Sequence, residues 1–279
     1  IRLQKALEIE ILSPFHYFGV TDLSIDGQLI EEKAEFNLLT SQERVDRIIE
    51  NSLFYNCDDG NIRGLVFCSK VEEAKALSEQ FLKRGFKSIA LSGESSDEQR
   101  NAAIDRLESD DPADKLDYIF TVDIFNEGID IPRVNQVIML RPTQSAIIFV
   151  QQLGRGLRKA EGKEYLTVID FIGNYSNNFL IPIALFGDTS YNKDNLRKLI
   201  AGGSNQIPGT STINFDKIAK EKIYAAIDQS NFSLKKDLVK DYDLLKYKIG
   251  YSPMMMDFMY HGSRDPILFA EYSGSYFQF

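Results

Sequence analysis

The chain has 279 residues, 43% of them hydrophobic and 26% charged; this is enough apolar material for a sizeable core and excludes wholesale disorder. The formal net charge of -9 argues against a protein whose whole surface grips nucleic acid, though it allows a basic groove on an acidic body. Two cysteines and two histidines are too few for a disulfide framework or a Cys/His zinc site, so no metal ligand set is expected. No apolar run approaches the roughly 18 residues of a membrane span. Cys57 and Cys68 fit a reducing compartment, and a cytoplasmic location is the expectation.

In chain order, the segment 1–61 holds an aromatic stretch, Phe15-His16-Tyr17-Phe18-Gly19-Val20, and then one strong helix signal. Thr40 precedes Glu43 with capping-box spacing, and Val45, Ile48, Ile49 and Leu53 follow at helical intervals. From residue 62 onward strand and helix alternate. Leu65 to Cys68 is a short apolar run suited to a strand buried on both faces. Val71 to Arg84 reads as a helix, with Gly85 just past its end where a left-handed cap belongs. Ile89 to Leu91 is a strand, and Ser95 with Glu98 makes a second capping box. Strands at Tyr118–Val122, Val137–Leu140 and Leu166–Ile169 follow, with a helix from Ser145 to about Leu153. Strands spaced by such helices predict an α/β fold with a parallel sheet. Gly202 to Asn205 and Pro208 to Ser211 mark a linker, and the helical stripes beyond it predict a small all-α domain over 201–279.

Two stretches carry chemistry. Gln151-Gln152-Leu153-Gly154-Arg155-Gly156-Leu157-Arg158 places two arginines on one face of a helical turn, about 5–6 Å apart. Paired guanidiniums suit a polyphosphate, and the glycines let backbone come close. A solvated basic turn fits the same spacing. Asp123-Ile124-Phe125-Asn126-Glu127-Gly128-Ile129-Asp130-Ile131-Pro132 follows directly on a strand. Ligands of parallel sheets gather beyond the carboxyl ends of strands, so Glu127, Gly128 and Asp130 are expected in a cleft. A plain acidic turn is the competing reading.

Together these stretches resemble motifs V and VI of superfamily-2 helicases. Gln151, Gly154, Arg155 and Arg158 fill the Q-x-x-G-R-x-x-R of motif VI, and Gly128, Asp130 and Pro132 fill the G-x-D-x-P of motif V. Leu65 to Ser69 is similar to motif IV, and Leu91-Ser92-Gly93 with Arg100 to the nucleic-acid-contacting motif after it. Leu140-Arg141-Pro142-Thr143 resembles the run that precedes motif VI. The resemblance implies a RecA-like sheet of the P-loop NTPase type, the second lobe of a DEAD/DEAH-type helicase, over 62–200. The segment 1–61 would be a bridge from a first lobe. With the helical extension, the pattern is similar to bacterial helicases near the restriction translocases.

The resemblance implies ATP and Mg2+ as cofactors, held mainly by the first lobe. It implies that Arg155, Arg158 and Gln151 serve hydrolysis, while Glu127, Gly128, Asp130 and Gly154 line the nucleotide. Ser69, Lys70, Ser92, Gly93, Asp123 and Arg141 would contact nucleic acid, DNA rather than RNA. One position departs from the family: Val122 stands where motif V commonly has threonine, and Thr121, one residue earlier, points to the other face of the strand.

A phosphate loop, G-x-x-x-x-G-K-[ST], is missing; Gly156 to Gly162-Lys163 has one residue too many and Glu164 where a hydroxyl belongs. Together with an initial Ile1, this leads to the expectation that the chain is the C-terminal part of a longer protein. The alternative is a docking module, with the helical tail binding a duplex or a protein on an inactive scaffold.

Overall fold

A computed structural model describes all residues except 1–2, 23, 26–27, 30–35, 123–130, 144, 189–191, 231–233, 262 and 265. The first segment forms α1 (Leu3–Glu8), β1 (Phe15–Thr21), the paired short strands β2 (Ser24–Ile25) and β3 (Gln28–Leu29), α2 (Phe36–Leu39) and α3 (Gln42–Tyr55). Then come β4 (Gly64–Phe67), α4 (Val71–Lys83), β5 (Ser88–Leu91), α5 (Asp97–Glu108), β6 (Tyr118–Thr121), β7 (Gln136–Met139), α6 (Ala146–Gly156) and β8 (Leu166–Ile172). The remainder forms α7 (Leu180–Phe186), α8 (Lys193–Gly202), β9 (Thr212–Phe215), α9 (Lys217–Gln229), α10 (Leu234–Ile249), α11 (Met255–Tyr260) and α12 (Ile267–Ser273).

Seven strands make one parallel sheet in the order β5-β6-β4-β7-β8-β1-β9. This is the expected α/β, RecA-like sheet. Every residue of β4, β6, β7 and β8 is buried, as unbroken apolar runs require when helices cover both faces. Alternation sorts the side chains. Leu65, Phe67, Val137, Met139 and Val168 join one core with Phe149, Leu153 and Ile223. Val66, Cys68, Phe120, Ile138 and Ile169 join the opposite core with Val45, Ile48, Leu77 and Phe81. Burial pushes the Cys68 thiol well up, as expected of an inert core cysteine.

Two expectations are corrected. The segment 1–61 is not merely a bridge: β1 pairs with β8 along all seven of its residues, and α3 covers one core. The all-α expectation for 201–279 fails at Thr212–Phe215, where β9 adds a strand beside β1. The reason is local. Asp216 caps α9 by accepting from Ala219 N at 2.7 Å, and the same carboxylate accepts from Thr21 N and Thr21 Oγ1 at 2.6 and 2.7 Å. A helix cap and a strand end are thus fixed by one side chain. The helices after β9 do form the expected tail. Leu238, Leu245, Phe258 and Phe269 belong to the same continuous core as the sheet.

Both N-caps sit one residue later than the spacing predicts, and only that of α5 is a capping box. Ser41 caps α3, accepting from Arg44 N, and Ser96 with Gln99 makes the reciprocal box of α5. The glycine stop after α4 is as expected: Gly85 takes φ 90°.

Candidate functional site

The parallel sheet has two ends, and the candidate residues divide between them. At the carboxyl end, Ser69 and Lys70 follow β4 and are exposed, and Gly93 is exposed after β5. Ser92 is buried; its Oγ accepts from Glu94 N at 3.3 Å and its N–H donates to Ser95 Oγ at 3.1 Å, so its side chain shapes the loop. Arg100 closes that loop from below, donating Nη2 to Gly93 O at 3.2 Å. Arg141 follows β7 and is half-buried. With its amide oxygen turned toward the guanidinium, Gln152 accepts from Arg141 Nη2 at 2.7 Å and Nε at 3.2 Å. A residue inside the Q-x-x-G-R-x-x-R run therefore holds a residue of the loop after β7.

The loops of this end are anchored by Arg44, which is 0% exposed. Its Nε and Nη2 donate to the two oxygens of Asp22 at 3.1 and 2.9 Å, and Nη1 donates to Glu73 Oε1 at 2.8 Å. Leu39 O and Leu140 O accept the remaining protons at 2.9 and 3.4 Å. All five guanidinium donors are matched. The second oxygen of Glu73 accepts from Ser69 N at 2.8 Å. The network thus ties together the end of β1, the start of α4 and the residues on which Ser69 and Arg141 sit. A second buried pair lies between β1 and β8. Tyr17 Oη donates to Asp170 Oδ2 at 2.5 Å, and burial pushes the Asp170 carboxyl up to about 7.

The arginine stretch lies at the opposite end. Helix α6 leaves the carboxyl end of β7 and finishes against the starts of strands. Leu157 O accepts from Ser13 N at 2.8 Å and Arg158 O from Ser13 Oγ at 3.2 Å, just before β1. The helix stops at Gly156, so the arginines do not share one helical face as expected. Arg155 is half-buried in the last turn and Arg158 is exposed beyond it. Gln151 is half-buried one turn earlier than Arg155. Glu127, Gly128, Asp130 and Asp123 lie outside the described residues. The stretch they precede is visible: Ile131 and Val134 are buried, and Asn135 lies beside the start of β4, accepting from Arg63 N at 2.8 Å.

Residues 43–160 match the family described as the helicase conserved C-terminal domain. This segment is a helicase C-terminal domain. Residues 238–279 match a domain of unknown function, DUF8090. The ATP-dependent RNA helicase SrmB of Haemophilus influenzae is 31% identical over 157 residues, covering 48% of this chain and 35% of SrmB. The pre-mRNA-splicing ATP-dependent RNA helicase prp28 of Schizosaccharomyces pombe is 28% identical over 130 residues, covering 47% of this chain and 18% of prp28. The chain therefore spans about a third or less of the length of these curated relatives. In fold, it is similar to the ATP-dependent type ISP restriction-modification enzyme LlaBIII bound to DNA. The TM-score is 0.52 at 19% identity, covering 94% of this chain and 21% of that one. The helicase domain corresponds to the second, C-terminal lobe of superfamily-2 helicases.

Within the helicase domain the two glycines around Arg155 do different things. A Cβ on Gly154 would meet nothing within 4 Å, whereas a Cβ on Gly156 would come 2.6 Å from Leu166 Cδ1. Gly156 is what lets α6 end flat against β8. Gly156→Ala is expected to destabilise the fold by about 1–3 kcal/mol through overpacking. Gly154→Ala is expected to be neutral or to stabilise by about 0.5–1 kcal/mol, since it only removes helical backbone freedom. Urea denaturation of the two variants side by side checks the contrast.

Three features of the site are not legible in motif spacing: the Arg44 network, the Gln152–Arg141 contact and Lys163. Lys163 is the second residue of a Gly-Lys pair whose Gly162 takes φ 78°. That glycine marks a turn but says nothing of where the ammonium goes. Among the described residues, Cys57, Asp58 and Asp59 alone bring potential metal ligands within 4.8 Å of one another. Both carboxylates are already engaged, Asp59 with Arg63 and Asn135, and Asp58 with Glu164 N. Among the described residues no helix is long and apolar enough to cross a membrane.

Proposed function

We propose that this chain supplies the second lobe of an ATP-driven nucleic-acid helicase or translocase, with DNA the favoured polymer. The observation that carries this reading is the division of the candidate residues between two ends of one sheet. A polymer track at the carboxyl end and a phosphate-facing turn at the other allow both ligands at once.

The donor chemistry fits one side of an ATP molecule. Arg155 and Arg158 offer forked cations, and Gly154 leaves open space beside them. The chain carries no phosphate loop, so a preceding lobe would hold most of ATP and Mg2+. ATP supplies the phosphoanhydride bond whose cleavage drives movement. Arg158, exposed on its turn, reaches a facing lobe and stabilises charge on the terminal phosphate. Arg155 does the same from the last helical turn. Asp130 accepts from a ribose hydroxyl, and Glu127 and Gly128 of the same run serve the nucleotide with it. Gln151 couples this end of α6 to the polymer end through the helix it shares with Gln152. Ser69, Lys70, Gly93, Asp123 and Arg141 meet the sugar-phosphate backbone, with Ser92 holding the loop. Such contacts carry affinity and little sequence information.

The test is ATP turnover by a protein joining this chain to its phosphate-loop lobe, measured with duplex DNA, single-stranded DNA and RNA. Stimulation, strongest with DNA, is the expected result. Turnover indifferent to all three polymers overturns the reading, and stimulation by RNA alone overturns the DNA preference.

A further inference from the structure

Lys163 is largely buried, and its Nζ has three carbonyl partners. It donates to Gly156 O at 2.5 Å, to Pro132 O at 3.0 Å and to Arg158 O at 3.1 Å. Gly156 is the last residue of α6, and helix ends leave carbonyls that need donors. Arg158 bears one of the two candidate arginines. Pro132 closes the G-x-D-x-P run that holds Asp130. One ammonium therefore joins the ends of two segments that are distant in sequence and adjacent in space. Lysine suits this position because it has three donors and places its positive charge at the negative end of a helix.

We propose that Lys163 is the positioning residue that clamps the arginine turn to the end of the Asp130 segment. The proposal rests on the reading that Arg155 and Arg158 face ATP. Without the clamp, the turn after α6 keeps its tie to Ser13 through Leu157 O and Arg158 O but loses its link to Pro132. The arginines would then sample several positions relative to Pro132.

The clamp also titrates. The charged groups that bear on Lys163 are Asp58, in the loop before β4, and Glu108, at the end of α5. Glu108 Oε1 in turn accepts from Arg133 N at 3.0 Å, and the Arg133 guanidinium donates to Glu108 O. Both carboxylates favour the charged lysine, but desolvation by burial outweighs them and pulls it down to about 8. A neutral amine has two donors for three carbonyls, so the clamp loosens as pH rises through about 8. Global stability moves the other way. With the folded value below the ordinary lysine value, the unfolded chain binds more protons between the two, and this group's contribution to stability rises with pH across that window. A local loosening without global weakening is the signature.

Two measurements test the clamp. In this chain alone, Lys163→Met is expected to speed amide exchange over residues 155–159 at least tenfold, leaving the amides of β4 and β7 unchanged. In the protein carrying both lobes, kcat for stimulated ATP turnover is expected to fall as pH rises through about 8. Lys163→Arg, whose charge persists, is expected to keep turnover and flatten that profile. Unchanged exchange in Lys163→Met overturns the clamp, as does a pH profile identical in wild type and Lys163→Arg. Faster exchange in Lys163→Met, with turnover indifferent to Arg158, keeps the clamp and discards only the ATP-facing reading of the arginines. If Lys163→Met does not fold, the exchange of wild-type residues 155–159 across pH 7–10, corrected for intrinsic rates, decides the same question: no excess above about 8 overturns it.

Discussion

Arg158→Ala, in a protein that joins this lobe to its phosphate-loop partner, is expected to lower nucleic-acid-stimulated ATP turnover by about a thousandfold or more. The expectation follows from charge. As the bond to the terminal phosphate breaks, negative charge grows on the transferred group, and a forked cation aimed there is worth more in the transition state than in the ground state. ATP binding should therefore change much less than kcat. Arg158→Lys keeps the charge but loses the fork and should recover only a fraction of the rate. Stability should change little in both variants: Arg158 is exposed, and its backbone carbonyl, which accepts from Ser13 and Lys163, is retained. Arg155→Ala should lower turnover comparably, with some cost in stability because that side chain is half-buried in the last turn of α6. Turnover of Arg158→Ala equal to wild type would show that this arginine does not meet the phosphate.

The second large effect is on stability. Arg44→Met is expected to destabilise the chain by about 3–5 kcal/mol, because it leaves Asp22 and Glu73 as buried carboxylates without their cation. Both side chains are within 1% of complete burial, so water cannot take over. The cost is that of the orphaned charges rather than of a lost attraction. Hence the triple variant Arg44→Met, Asp22→Asn, Glu73→Gln should regain part of the loss, since neutral amides are cheaper to bury than carboxylates. Chemical denaturation of the single and triple variants checks this. A loss below about 1 kcal/mol for Arg44→Met would mean that the site rehydrates.

How far the sequence reveals this arrangement depends on the length of the signal. The strands at Leu65–Cys68, Tyr118–Val122 and Val137–Leu140 are legible because an apolar run buried on both faces has few other uses. The fold class follows from their alternation with helices. The arginine stretch is legible as a motif, but its spacing alone does not show that α6 stops at Gly156 and leaves Arg155 and Arg158 off a common helical face. β1 hides in plain sight: Phe15 to Val20 is apolar, but nothing local says that its partners are Leu166 to Phe171 and Thr212 to Phe215. β9 is illegible because four residues between a Gly/Pro/Ser turn and a helix carry no periodicity. The N-caps fall one residue off because Thr40-Ser41 and Ser95-Ser96 each offer two hydroxyls in succession, and only backbone geometry chooses between them. The partners of Arg44 and Lys163 are products of topology, which brings distant carboxylates or carbonyls to one cation.

The position of β1 also has a consequence for how the chain is made. The strand leaves the ribosome well before either neighbour, because it is flanked in the sheet by β8 and β9. Tyr17 meets Asp170 across 153 residues, and His16 meets Thr212 across 196. At about 5–20 residues per second, the second partner arrives roughly 10–40 s after the strand itself. Until β8 is made, a segment containing Phe15, Tyr17, Phe18 and Val20 has both edges bare, and one edge stays bare until β9 follows. A chain of this topology cannot complete its sheet domain piece by piece during synthesis. It must shelter its first strand, and chaperone dependence or aggregation during expression would be traced first to residues 15–21.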